Sequence, residues 1–117
     1  MDARPFDVFS PDCPSREAWE HATGRWGALV LGALAHGPLR FGALRRSVGG
    51  VSDRMLSQTL GNLERDGLVH REDLGTNPPH VEYSLTAPGQ AVAGRVMALV
   101  DTIHQVMPTV MAARSGD

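Results

Sequence analysis

Five side chains between positions 52 and 62 are of the types that read a base edge: Ser52, Arg54, Ser57, Gln58 and Asn62. A guanidinium such as that of Arg54 can fork onto a guanine, and a carboxamide such as that of Gln58 can pair with an adenine. The same side chains would also make an ordinary solvated helix face, so their meaning depends on the element that carries them. Arg45 and Arg46 lie just upstream and are suited to phosphate, and Arg25, Arg40 and His80 could add contacts from further away. Cys13, the only cysteine, offers a different chemistry. It stands at an expected helix start, where the positive end of the helix dipole favours thiolate. Arg16 is expected to assist and Asp12 to oppose. A buried, inert thiol fits the same position equally well. A single cysteine excludes an intramolecular disulfide. The five histidines show no metal-ligand spacing, and neither a nucleophile–base pair nor a phosphate-cradling glycine loop stands out, so no metal, cofactor or enzymatic site is expected.

The elements that would position these residues follow from periodicity and punctuation. Residues 1–12, with Pro5 and Pro11, predict an irregular arm. Pro14 opens a helix over about 14–23. A second helix, 25–35, carries Trp26, Leu29, Val30, Ala33 and Leu34 at helical spacing, and Gly37-Pro38 stops it. A short helix is expected over 41–48. Ser52 then caps a helix reaching about Asp66. On that helix Leu56, Thr59, Leu60 and Leu63 share one face, and Arg54, Gln58, Gly61 and Arg65 share the other. Residues 68–71 and 81–85 predict two strands of a long-looped hairpin. Thr86 caps the last helix, expected over about 87–113. There Val92, Val96, Leu99, Ile103, Val106 and Val110 recur at spacings of four and three, a coiled-coil-like seam that needs a partner or its own domain to cover it. Pro108 is expected to kink or end that helix.

Charge distribution agrees with an anionic partner. The chain of 117 residues carries a formal net charge of −2, and all eleven of its basic residues are arginine. Six of them, against three acids, fall between Arg40 and Arg71, which leaves that stretch positive between acidic flanks. One domain is expected. No signal-peptide core is evident, and no apolar run approaches the ~18 residues of a membrane span, so the expected location is the cytoplasm.

A short helix, a turn, an amphipathic helix and then a hairpin is the order of a winged helix-turn-helix, whose second helix enters the major groove. The fold class is therefore mainly α (α+β). In detail the chain resembles the HxlR family of bacterial regulators, relatives of the MarR type. The resemblance is carried by Cys13-Pro14, Gly24-Arg25-Trp26, the run from Gly37 to Arg46, the run from Val51 to Leu60, the run from Leu63 to Val69, the run from Pro78 to Thr86, and Gly89. It covers about residues 13–100. It implies a homodimer made by terminal helices, bound to a pseudo-palindromic operator in double-stranded DNA, and a domain over 13–117. It also implies genes answering oxidants or electrophiles, with Cys13 as sensor. The chain departs from the family at Thr59 and Gly61, where basic residues are usual. It departs again in the hairpin, where Glu72-Asp73 are acidic and His80 replaces a frequent basic residue. A small-molecule effector could enter a cleft between the domain and the last helix, lined by Trp19, Trp26 and Phe41, although those residues also suit a core. Two other readings compete: a winged helix turned to protein interaction, suggested by the acidic hairpin, and a thiol enzyme using Cys13.

Overall fold

The computed structural model describes residues 5–116. Residues 5–13 contain neither helix nor strand; residues 1–4 of the expected arm lie outside the described residues. The order of elements is α1 (Pro14–Thr23), α2 (Gly27–Leu34), β1 (Leu39–Arg40), α3 (Phe41–Ser47), α4 (Asp53–Arg65), β2 (Val69–Asp73), β3 (Val81–Leu85) and α5 (Ala87–Arg114). The fold is mainly α with a small antiparallel sheet, ordered β1-β3-β2.

One layer of apolar side chains joins these elements. Val30, Leu31 and Leu34 of α2, Leu44 of α3, and Leu56, Leu60 and Leu63 of α4 are buried with Val69 of β2 and Ala93 of α5. The 3.6-residue period explains the choice: on α4 it sends three leucines inward and leaves the polar positions outside. Each fully buried leucine contributes about 1.5–3 kcal/mol of transfer free energy. Two glycines permit the closest approaches. A Cβ at Gly27 would lie 1.9 Å from the His21 carbonyl oxygen, and one at Gly89 would lie 1.9 Å from that of Leu68. Gly27 thereby lets α2 start against α1, and Gly89 seats the first turn of α5 on the chain entering β2.

Several expectations need correction. The second helix begins at Gly27 rather than at position 25, because Trp26 takes the N-cap place. The first hairpin strand, β2, runs through Glu72 and Asp73 instead of stopping at 71, since ladder pairing with β3 carries it on. A third strand, β1, pairs Leu39 with Tyr83 and Arg40 with Glu82; two residues are too short for any alternation to announce them. Helix α5 continues through Pro108 to Arg114. The ring costs the hydrogen bond to the His104 carbonyl, but Pro108 and His104 are both exposed, so water can satisfy the freed oxygen. By length and composition α5 could cross a membrane, contrary to the expectation that no run was long and apolar enough. Here α5 packs on α2 and on β3.

Candidate nucleic-acid interface

The N-cap that starts α4 is built locally. The Met55 N–H donates to the Ser52 hydroxyl oxygen at 3.1 Å, which satisfies one of the orphan donors of the first turn. Ser52 keeps its own hydroxyl proton free to donate outward. Arg54, Ser57 and Gln58 follow on the exposed face. Among the described residues none of these three forms a side-chain hydrogen bond or ion pair. Asn62, half-buried, accepts from Arg65 Nη1 at 3.3 Å.

Ser52, Gln58 and Asn62 line one open cavity of about 510 Å³ together with Arg25 and Trp26, which lead into α2. The Arg25 guanidinium lies 4.8 Å from the centroid of the Trp26 ring, a cation–π distance that holds the charge at the cavity mouth. Glu20, His21, Met55 and Thr59 add to the lining, with Gly24, Gly27 and Gly50; Glu20, His21 and Met55 did not stand out in the sequence as parts of such a site, because their convergence depends on the packing of α1 against α4. Thr59, expected on the buried face, is half-exposed here.

The other candidate cations are engaged differently. Arg45 Nε lies 2.8 Å from Asp53 Oδ1, with both side chains more than half exposed. This pair ties α3 to the first residue of α4, so Arg45 would have to be shared with a phosphate. Arg46 is exposed in the last turn of α3. Arg40 and His80 lie against each other: Arg40 Nε is 2.6 Å from His80 Nε2 and Arg40 Nη2 is 2.5 Å from His80 Nδ1, while Glu82 Oε2 is 3.2 Å from the same Nε2. A neutral imidazole has one acceptor nitrogen, so His80 cannot accept from both guanidinium nitrogens and also donate to Glu82; the three groups compete for the ring. These contacts link β1 to the base of the hairpin loop. On the other side of β3, Glu72 and Glu82 are directly opposite in register. Like charges in that relation repel, so the hairpin face is acidic in space as well as in sequence.

Cys13 occupies the N-cap position of α1, a separate element from the base-reading side chains. The Asp7 backbone N–H donates to its sulfur at 3.3 Å and the Ser15 hydroxyl donates at 3.2 Å. These donors, Asp7 first, hold the thiol below its ordinary value. The opposing acid is Asp7 rather than Asp12. Arg16 does not assist, because its guanidinium is taken up by the Phe9 carbonyl and the Glu20 carboxylate.

Trp19, Trp26 and Phe41 do not share a cleft. Trp26 faces α4, Phe41 packs against the core, and only Trp19 lines the cavity of about 540 Å³ between α1 and α5, with Val92, Val96 and Leu99. Along the α5 seam, Val92 packs on the core and Val96 and Val110 are half-buried. Leu99, Ile103 and Val106 are 61%, 47% and 43% exposed, and Trp19 on α1 is 54% exposed. The chain itself therefore covers the start of the seam but not its middle.

A short helix, a turn, a capped amphipathic helix with a free polar face and a following hairpin define the winged helix-turn-helix class of transcriptional regulators. Within that class this chain belongs to the HxlR-like helix-turn-helix family, whose model matches residues 22–111. It is 50% identical over 108 residues to an uncharacterized HTH-type transcriptional regulator of Escherichia coli, YtfH, an alignment covering 92% of this chain and 86% of that one. The fold superposes with a TM-score of 0.87 on the putative transcriptional regulator ytfH of Salmonella typhimurium, at 49% identity and with 94% and 98% of the two chains covered. It also resembles the redox regulator HypR in its oxidized form, with a TM-score of 0.73, 33% identity and 80% and 96% coverage. The chain is thus a helix-turn-helix transcriptional regulator of MarR-like fold and not an enzyme.

Proposed function

We propose that this regulator is a cytoplasmic homodimer that reads a pseudo-palindromic operator through α4. The observation that carries this is the two-faced character of that helix: Leu56, Leu60 and Leu63 are buried, while Arg54, Ser57 and Gln58 are exposed and unengaged among the described residues. Arg54 and Gln58 are assigned to base edges, with Ser52, Ser57 and Asn62 beside them. Arg46, Arg25 and the shared Arg45 are assigned to phosphate. Arg40 and His80 reach the duplex only where their mutual contact opens. The domain is taken as residues 13–117 behind an arm of 1–12, with α5 as the dimerisation helix. The half-covered surface of Trp19, Leu99, Ile103 and Val106 supports the pairing, because apolar patches of this kind mark partner contacts. The cavity between α1 and α5 would take an apolar effector, and Cys13, with its lowered thiol, would answer oxidants or electrophiles.

Fluorescence anisotropy with the DNA upstream of the protein's own gene tests the DNA reading. Arg54→Ala should cost about 1–3 kcal/mol and relax preference at one base pair. The logarithm of affinity should fall with the logarithm of salt at about 0.9 per phosphate contacted, with few phosphates because of the acidic hairpin. A slope near zero, or an Arg54→Ala dimer that binds every sequence as the parent does, would overturn the proposal. The opposed Glu72 and Glu82 favour one alternative, a winged helix whose hairpin meets a basic protein partner; that reading predicts no operator-length footprint at any salt.

A further inference from the structure

Glu17 and His21 stand one turn apart on α1, and Asp66 is the C-cap residue of α4. One ligand atom from each lies within 4.8 Å of those of the other two. His21 Nδ1 and Asp66 Oδ2 are already 2.6 Å apart, with side chains only 18% and 16% exposed, and Glu17 is exposed beside them. His21 and Glu20 also line the open cavity next to α4, so the group has a route to solvent and room for water ligands.

We propose that Glu17, His21 and Asp66 form a site for a divalent transition-metal cation of the zinc class, which clamps α1 to the C-terminal end of α4. The donor set decides the class of ion. One imidazole and two carboxylates suit borderline cations such as Zn²⁺ or Co²⁺, whereas Ca²⁺ and Mg²⁺ favour all-oxygen shells. Two carboxylates on one imidazole also leave uncompensated negative charge, whereas the neighbouring Glu20 is paired with Arg16. Zinc–ligand distances of about 2.0–2.2 Å place donor atoms about 3–3.5 Å apart around a common ion. The His21–Asp66 contact must then open by several tenths of an ångström, with the ion replacing the proton they share. Glu17 must close in, which its exposed side chain, unpaired among the described residues, can do by rotation. The clamp bears on the reading helix, because the Asp66 backbone N–H donates to the Asn62 carbonyl at 3.0 Å. Fixing Asp66 therefore fixes the turn that presents Asn62. The site itself does not depend on DNA binding.

Calorimetric titration of the full-length, chelator-stripped protein with ZnCl₂ tests this, with Co²⁺ absorption as a second readout. One zinc per chain is expected. His21→Ala should weaken binding at least tenfold, and Glu17→Gln severalfold. Glu17→Gln removes only an exposed carboxylate charge, so it decides the question even if the His21 variant fails to fold. Unchanged affinity in Glu17→Gln, or loss of binding on Cys13→Ser instead, overturns the assignment.

Discussion

Cys13 shows how far a residue's chemistry depends on neighbours that sequence spacing does not reveal. Its place at a helix start was legible, because Pro14 marks the first turn. The donors that set its acidity were not: Asp7 reaches back from the arm, and Arg16 turns to Phe9 and Glu20. With the thiol below its ordinary value of 9.0, the rate of iodoacetamide labelling should rise with pH around a midpoint lower than that of the unfolded chain. Ser15→Ala, which removes one donor, should move the midpoint back up; equal midpoints for folded and unfolded protein would contradict this. The same donors favour the folded state more when the sulfur is deprotonated. That contribution is complete above the unfolded-state pKa and fades as pH falls through the lower, folded-state one. The arginines repeat the lesson. All were visible as charges, but the partnerships of Arg45 with Asp53 and of Arg40 with His80 cross between elements and have no local signature.

Elements with strong periodicity or clear caps were legible, and short or purely tertiary ones were not. Helix α4 declared itself through Ser52 and three leucines at helical spacing. β1 could not, since its two residues exist as a strand only because β3 lies beside them. α5 outran its proline because the lost hydrogen bond faces water. Inside α4, Gly61 has nothing within 4 Å of where a Cβ would stand. Gly61→Ala should therefore raise stability by about 1 kcal/mol through helix propensity alone, measured as a higher urea midpoint at unchanged slope. A loss of stability would mean that the helix is strained at that point. The charge of the hairpin was equally readable, although not the cross-strand opposition of Glu72 and Glu82. Glu72→Gln relieves that repulsion, and anisotropy should report tighter operator binding together with a steeper salt slope than the parent's.

As a whole the chain is flat, 58 × 47 × 23 Å, with a radius of gyration of 16.6 Å. A compact chain of this length would have about 13 Å. The excess reflects a 28-residue α5 that extends past the layer it packs on. The heptad spacing of its apolar residues was plain in the sequence, but which of them the chain's own fold would cover was not. Ile103→Asp, at the middle of the uncovered stretch, should convert the assembly to monomers in analytical ultracentrifugation; an unchanged dimer would place the interface elsewhere. The uncovered middle of α5 has a further consequence. If that surface leaves water only when two chains meet, part of the folding free energy is second order in protein. The melting temperature then climbs with the logarithm of concentration, and a cell that dilutes the regulator by growth lowers its occupancy and its lifetime against proteolysis together. Abundance itself becomes an input to the switch, alongside any small molecule or oxidant.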